Sequence, residues 1–190
     1  LSQLTYPATL YQIYLNACNV CGVPAGTTSF PNMNYVVQER PEGDLTFRDI
    51  ISYVAQLAGC FAKCNRNGAL ELKWYQDTDV EIGPINRFSF KPSDDVIQIT
   101  GVMYETEDAI YLAGTDEYVI NISENPLVSG DYSALLNTIY NNIKDTIFIP
   151  YSCEWQGNPA LEAGDKVTHI DRDDKVYNTI VTKSTFKFRG

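Results

Sequence analysis

The segment that most constrains the fold is an amphipathic stretch that starts at Thr46. Thr46 and Asp49 have the spacing of a capping box, in which each side chain accepts a hydrogen bond from the backbone N–H of the other residue. Apolar residues then recur every three or four positions, which predicts a helix to about Lys63 with one buried face. These apolar residues are Phe47, Ile50, Ile51, Val54, Leu57, Ala58 and Phe61. Because one apolar face must be buried, the helix needs other elements to pack against.

Candidates for those elements lie on both sides of the helix. Thr5 to Gly22 has the same periodicity, with Pro7 in the first turn and Gly22 just past the end. Its apolar face would contain Leu10, Ile13, Tyr14, Ala17, Cys18 and Cys21. Residues 34–39 form a candidate edge strand, and Asn67-Gly68 predicts a hairpin turn between arms at about residues 60–63 and 69–75, with Leu70, Leu72 and Trp74 on one face. We therefore predict that residues 1–88 form a domain of two helices plus a β-hairpin.

The second half of the chain has the pattern of short strands and turns. Strands are predicted at residues 96–104, 109–112, 118–122, 148–155, 166–171 and 176–188, with a hairpin turn at Asp171 to Asp174. One helix, at about residues 131–146, interrupts them with Leu135, Ile139 and Ile143 four residues apart. We predict a small β-barrel-like domain with one inserted helix at residues 89–190, and an α+β fold class for the whole chain.

The charge balance disfavours nucleic acid and the hydropathy disfavours membrane insertion. The chain has 24 Asp and Glu residues against 14 Lys and Arg, a formal net charge of -10, and no cluster of basic residues. A protein that binds DNA or RNA tightly normally carries a basic surface that neutralises phosphates. The apolar stretches, such as Ile50 to Ala58, are much shorter than the roughly 20 residues that span a bilayer.

Five cysteines offer the one candidate metal site. Cys18, Cys21, Cys60 and Cys64 form two closely spaced pairs, which is compatible with tetrahedral zinc. The alternative is that they are free thiols, because Cys18 and Cys21 lie on the apolar face of a helix and Cys60 lies near that of the next. We favour free thiols in a reducing compartment and predict no metal and no cofactor.

The sequence contains no recognisable catalytic constellation. His169 is the single histidine, and we expect it at the surface of a strand, since no nucleophile motif is present to pair with it. The acidic clusters at Asp94-Asp95, at residues 105–108 and at residues 171–174 lack the spacing of a calcium loop. We therefore assign no catalytic residue and expect that the chain is not an enzyme.

Two long segments carry motifs in a recognisable order. The first runs from Leu45 to Ala62 and continues through Asn65-Arg66-Asn67-Gly68 to Tyr75. The second runs from Cys153 to Val167 and is followed by residues 177–182 and 186–190. The motif residues are Asn67, Gly68, Trp74, Trp155, Gln156, Gly157, Pro159, Gly164 and Asp165. In these segments the chain resembles the tail-hub, or baseplate hub, proteins of long-tailed bacteriophages and prophages that infect Gram-positive bacteria.

The resemblance implies a virion structural role. Such a hub builds the tail tip and connects the tail tube to a fibre, spike or lysin, it is assembled in the cytoplasm of the bacterial host, and it commonly forms a trimer. The chain begins at Leu1, and we expect it to be part of a longer protein that self-associates and contacts other tail proteins. The alternatives are a module that binds carbohydrate or the host surface, and a fragment of a tail-associated hydrolase.

Overall fold

The computed structural model describes residues 4–187 and has an α+β fold, as the sequence predicts. The helices in this part of the chain are α1 (Leu10–Cys21), α2 (Phe47–Leu57) and α3 (Tyr132–Ile143). The strands of the first half are β1 (Ala8–Thr9), β2 (Val36–Val37), β3 (Phe61–Cys64), β4 (Leu70–Lys73), β5 (Gln76–Ile82), β6 (Arg87–Pro92) and β7 (Ile97–Gln98). Those of the second half are β8 (Gly101–Glu105), β9 (Ile110–Gly114), β10 (Val119–Asn121), β11 (Ile147–Phe148), β12 (Tyr151–Trp155), β13 (Asp165–Ile170) and β14 (Val176–Ile180).

The chain forms two compact units, each built from two separate segments. Unit 1 contains the described residues up to Trp74 together with Ile99–Lys144, and unit 2 contains Tyr75–Gln98 together with the described residues from Asp145 onward. This division differs from the predicted single boundary, because the junction of residues 88 and 89 lies inside β6 of unit 2. The helix predicted for the second domain, α3, belongs to unit 1.

Both N-terminal helices begin at capping boxes. Thr46 Oγ1 accepts a hydrogen bond from Asp49 N at 3.2 Å, and Asp49 Oδ2 accepts one from Thr46 N at 2.9 Å, which confirms the predicted start of α2. Thr9 and Gln12 make the same pair of bonds at the start of α1, so this helix begins at Leu10 and not near Thr5. Gly22 takes the left-handed conformation expected past its end. The prediction for Cys21 was wrong, since that side chain, in the last position of the helix, is exposed.

The predicted extension of α2 to Lys63 is also wrong, because the helix ends at Leu57. Gly59 follows with φ of +61°, and a Cβ at this position would lie 3.2 Å from the carbonyl oxygen of Ile139. The left-handed backbone and the close approach both favour glycine here. Phe61 therefore lies in a strand.

The predicted hairpin is present, with β3 antiparallel to β4. Its connecting turn is organised by Asn65, whose Oδ1 accepts hydrogen bonds from Asn67 N at 2.9 Å and Ala69 N at 3.0 Å. Gly68 supplies the positive φ that the turn requires. Leu72 is buried, and Leu70 and Trp74 pack against the core from the same face, as predicted.

The core of unit 1 lies between the helices and a three-stranded sheet. β8 is the central strand, antiparallel to β9 and parallel to β10, and α3 packs across β8 and β9. The fully buried side chains of this core include Leu10, Ile13, Tyr14, Ile50, Val54, Leu57, Val102, Leu127, Leu136 and Ile139. The aliphatic positions that the helical periodicity selected therefore meet in one core.

Three asparagine side chains from distant segments bind carbonyl groups near the C-terminal end of α2. Asn32 Nδ2 donates to Leu57 O at 2.8 Å, Asn125 Nδ2 donates to Tyr53 O at 3.0 Å, and Asn142 Nδ2 donates to Gly59 O at 2.8 Å. Leu57 O is one of the last four carbonyls of the helix, which lack a partner within it, so the Asn32 amide supplies part of what the helix end needs. All three amides attach the segments that carry them to α2 or to the turn that follows it.

Unit 2 consists of small sheets and a small core. β13 lies between antiparallel β14 and parallel β5, while β6 pairs with β12 and β7 with β11. The sheets of the described residues do not close into a barrel, so the predicted barrel is absent from this part of the chain. The hydrophobic core cluster of unit 2 contains Ile82, Leu161, Val167 and Val181.

Several observed strands are shorter than predicted, although β9, with five residues at Ile110–Gly114, is one residue longer than the predicted strand 109–112. The stretch 96–104 is divided into β7 and β8, and 148–155 into β11 and β12, because the chain leaves one sheet and enters another. The final strand ends at Ile180 and does not continue through Phe186. The predicted strand extended to Phe188, and the segment that carries the resemblance extended to Gly190. Residues 188–190 lie outside the described residues.

The asparagine contacts generate a stability prediction. Asn125 is buried, and besides Tyr53 it binds Gln56 Oε1 at 2.7 Å and accepts a hydrogen bond from Leu127 N at 3.0 Å. Asn125→Ala removes these hydrogen bonds and deprives the buried Leu127 N–H of its acceptor, so we expect a loss of about 2 kcal/mol in the free energy of unfolding. Urea denaturation followed by circular dichroism measures it.

Asn137→Ala is the matched control, because Asn137 is an exposed residue of α3 whose amide binds only Ser133 O among the described contacts. Its effect should stay within about 0.5 kcal/mol, since alanine favours the helix. Equal losses from the two substitutions would contradict the role assigned to Asn125.

Candidate functional site

Unit 2 carries an open cleft of about 830 Å³ beside the pair formed by β6 and β12. The residues that line it include Phe88, Tyr151, Cys153, Glu154, Trp155, Gln156, Gly157, Asn158, Leu161, Val181, Phe186 and Lys187. Aromatic rings stand beside amide and carboxylate groups in this lining, and the volume is within the range of small-molecule sites. The cleft is therefore the candidate functional site of unit 2.

A β-bulge shapes the wall of the cleft. Glu154 is paired with Ser89 and the next residue, Trp155, is paired with Arg87, so Phe88 is the extra residue. Bulges of this kind redirect side chains, and the Phe88 side chain is 78% exposed at the cleft. The sequence reasoning did not select Phe88, because a one-residue bulge has no signature in an apolar pattern.

Gly157 allows the C-terminal segment to close one side of the cleft. Its φ is +81°, and a Cβ at this position would lie 3.1 Å from Cε1 of Phe186. A side chain here would meet both backbone strain and a clash with that ring. The motif residues Trp155, Gln156 and Gly157 thus line the cleft together with Phe186.

Gly164 and Asp165 form a junction of three strands in unit 2. The Gly164 carbonyl accepts from Gln76 N at 3.0 Å, while Gly164 N donates to Val181 O at 2.8 Å. Asp165 is 4% exposed, and its carboxylate accepts hydrogen bonds from Glu162 N at 2.8 Å and Gln76 Nε2 at 2.9 Å. A buried carboxylate with these donors is a structural element that joins the starts of β5 and β13.

The remaining motif residues do not lie at the cleft. Asn67 and Gly68 form the turn of the hairpin in unit 1, and Trp74 packs at the end of that hairpin 6.4 Å from the Phe61 ring. Pro159 is an exposed residue of unit 2 that does not line the cleft. The two groups of motif residues therefore belong to different units.

The prediction that His169 lies at the surface of a strand was wrong, because this side chain is fully buried. Its ring stacks on Phe90 with centroids 4.3 Å apart and lies 4.5 Å from the Tyr151 ring, and neither ring nitrogen has a hydrogen-bond partner among the described residues. Burial, and to a lesser extent the charge of Arg87, lower the pKa of His169 to about 4. The guanidinium of Arg87 lies 4.8 Å from the Phe90 centroid. His169 is thus a neutral core residue without access to a substrate.

The cysteines do not assemble a metal centre. Cys18 is buried, Cys60 is partly buried, and Cys21 and Cys64 are exposed free thiols. Among residues 4–187, no group of three or more His, Cys, Asp and Glu side chains is placed to hold a metal ion. Burial raises the pKa of the Cys60 thiol to about 11 and also raises the pKa of Cys18, so both thiols are protonated at neutral pH.

The acidic cluster at residues 171–174 is a turn, as predicted. Asp171 Oδ1 accepts hydrogen bonds from Asp173 N at 2.8 Å and from Lys175 N at 3.0 Å, and these backbone donors lower the pKa of its carboxyl group. The carboxylate is therefore used by the hairpin between β13 and β14. No helix in the described part of the chain is both long and apolar enough to cross a membrane.

The fold is similar to that of two solved tail proteins. The 43 kDa tail protein of prophage MuSo2 from Shewanella oneidensis matches 90% of this chain with a TM-score of 0.52 and 14% sequence identity. The tail protein from Neisseria meningitidis MC58 matches 87% of this chain with a TM-score of 0.52 and 10% identity. In both cases the match covers 58% of the other protein, so this chain corresponds to little more than half of their length.

These identities establish a shared fold and no more. No protein-family model matches the sequence. No curated protein matches it either.

The burial of His169 predicts a pH dependence. The pKa of His169 is about 4 in the folded protein and near 6.5 when exposed, so between these values the unfolded chain binds the proton more readily. The contribution to stability is therefore complete above pH 6.5 and is lost as the pH falls to about 4, by roughly 3 kcal/mol. Denaturant titrations at several pH values, followed by the fluorescence of the two tryptophans, measure this loss.

His169→Phe should remove most of this dependence, because a phenyl ring can stack in the same place without titrating. The lowered pKa values of Asp49 and Asp171 place their contributions below pH 4, outside this window. Since His169 is the only histidine, its NMR signal can be assigned directly. An imidazole that titrates near pH 6.5 in the folded protein would contradict the burial described here.

Proposed function

We propose that this chain is a structural segment of a phage or prophage tail hub, and that the complete protein helps to build the tail tip. The observation that carries the proposal is the fold similarity to two tail proteins, which extends over 87–90% of the chain and thus includes both units. The resemblance of residues 45–75 and 153–167 to hub proteins supports it independently. The Gram-positive host of that family remains a prediction.

The exposed surface is consistent with assembly. Large apolar side chains of both units are exposed, among them Ile85 at 96%, Phe88 at 78% and Ile110 at 62%. Apolar side chains grouped at a surface are typical of protein contacts. In the proposed hub such surfaces contact neighbouring tail proteins. The resemblance further predicts that the complete protein forms a trimer.

The proposal includes the absence of enzymatic activity in this chain. The hydrolase alternative required either convergent carboxylates, or a thiol with His169, in a cleft. His169 is instead buried between Phe90 and Tyr151 and does not line the cleft of unit 2. This geometry disfavours the thiol–histidine form of the alternative.

The tail role predicts where the chain is found. Gold-labelled antibodies against the chain should mark one end of the tail in particles from the producing bacterium, and particle production should fail when the gene is deleted in frame. Complementation with the intact gene is the control for effects on neighbouring genes. Particles that lack the chain, or label along the entire tube, would contradict the proposed position.

The cleft of unit 2 favours a second candidate function, the binding of carbohydrate at the host surface. Trp155, Phe88 and Phe186 offer faces on which a sugar ring can stack, and Gln156, Asn158 and Glu154 offer polar partners for hydroxyl groups. In this alternative the chain contributes to recognition of the host by the tail. The aromatic lining of the cleft is the kind of surface that this hypothesis requires.

A glycan array tests this alternative. If the cleft binds a glycan, Trp155→Ala should weaken the signal at least about tenfold, because the stacking surface is lost. Tyr118→Ala is the matched control, since Tyr118 is an exposed aromatic residue of unit 1. Binding that is absent, or that both substitutions reduce equally, excludes the cleft as the glycan site.

A further inference from the structure

One face of the sheet in unit 1 is covered by a helix and the other is not. Val102 and Ala113 are buried on the covered face. The Tyr104 ring stacks there on Tyr132 of α3 and the Tyr111 ring meets Tyr132 at a tilt, with centroids 4.9 and 4.6 Å away. Successive residues of a strand alternate between faces. The opposite side, which we name the outer face, therefore carries the apolar Met103, Ile110, Leu112 and Val119 together with the polar Glu105 and Asn121.

The composition of the outer face departs from that of a solvated sheet. An antiparallel pair with one face on the core usually presents polar side chains on the other. Here Leu112 lies directly opposite Met103, and Ile110 lies opposite Glu105. Ile110 is 62% and Leu112 42% exposed, so water contacts a group of neighbouring apolar side chains. Such a surface is typical of a contact with another protein.

The ends of the outer face are acidic. Glu105, Glu107 and Asp108 lie at the turn between β8 and β9, and Asp116 and Glu117 lie between β9 and β10. All five are exposed. No Lys or Arg occurs between Lys91 and Lys144 to offset them, although this stretch contains nine Asp and Glu residues. An apolar centre is thus bounded by negative charge at both ends of the sheet.

We propose that the outer face is a docking surface for a basic protein partner whose contact surface combines apolar side chains with Lys or Arg. The inference rests on the proposed tail function and names the chemistry of a partner at this surface. Complementary charge at the rim directs the encounter, and burial of the apolar centre stabilises the complex.

The same charge pattern argues against two other occupants. A second copy of the chain would bring two acidic rims together, and each copy carries a net charge of -10. A nucleic acid would present phosphates to the same carboxylates and offers no apolar surface to cover Leu112. A basic amphipathic protein surface satisfies both features of the outer face.

A peptide that alternates valine with lysine is a suitable probe, because as a strand it presents one apolar and one basic face. Fluorescence anisotropy measures its binding to the full chain. Controls that alternate valine with glutamate and serine with lysine remove one feature at a time. We expect the first peptide to bind at least about ten times more tightly than either control, and less tightly at high salt.

Substitutions locate the binding on the outer face. Leu112→Ser should weaken binding of the valine–lysine peptide about tenfold, and Leu112→Thr offers the same test with a residue that favours strands. Val20→Ser is the matched control, because Val20 is an equally exposed aliphatic residue of α1 in the same unit. Asp116→Asn combined with Glu117→Gln should weaken binding mainly at low salt. Circular dichroism verifies that each variant is folded.

Several results would overturn the proposal. If the valine–glutamate or the serine–lysine peptide bound as tightly as the valine–lysine peptide, the chemistry assigned to the partner would be wrong. If both Leu112 variants bound the valine–lysine peptide as the unchanged chain does, the assignment of the binding site to the outer face would be wrong. Self-association in analytical ultracentrifugation that Leu112→Ser abolishes would identify a second copy as the occupant. These measurements do not depend on finding the chain in phage particles. The docking proposal can therefore fail while the tail function holds, and the tail function can fail while the docking proposal holds.

Discussion

Unit 1 depends on amide side chains that attach distant segments to the C-terminal turn of α2 and the residues after it. Asn32 lies before β2, whereas Asn125 and Asn142 come from Ile99–Lys144, which follows the first segment of unit 2. Each of these amides therefore fixes the position of its own segment. The apolar core supplies most of the stability, but it is non-directional, and the three directional contacts determine where α3 and the chain after β10 lie against it.

Unit 2 solves a similar problem with a carboxylate. The strands of Tyr75–Gln98 find their partners in the C-terminal segment, since β5 pairs with β13, β6 with β12 and β7 with β11. Asp165 binds Gln76 at the start of β5 and Glu162 ahead of β13, so one side chain fixes where the two segments meet. With a core of few aliphatic residues, unit 2 relies on such polar contacts more than unit 1 does.

Helix caps and turns could be predicted from the sequence more accurately than the pairing of the strands and the division into units, because caps and turns depend on local signals. The Thr46–Asp49 cap, the turn at Asn67-Gly68 and the glycine after α1 act within a few residues, and the structure confirms all three. Each unit is built from two separate segments of the chain, and this division depends on pairing between strands such as β5 and β13. These strands are far apart in sequence and have mixed polarity. His169 was misplaced for the same reason, because only the packing of Phe90 and Tyr151 on it makes the position buried.

The outer face of the sheet in unit 1 raises the question of how the chain avoids aggregation through its apolar side chains. β9 is an edge strand, and an edge with exposed Ile110 and Leu112 is a template for pairing with another chain. Charged residues beside such an edge oppose association between identical copies, because they bring like charges together. The carboxylates at both ends of β9 have this effect without covering the apolar centre. The arrangement thus combines a surface that remains available to a partner with a charge that keeps copies of this chain apart.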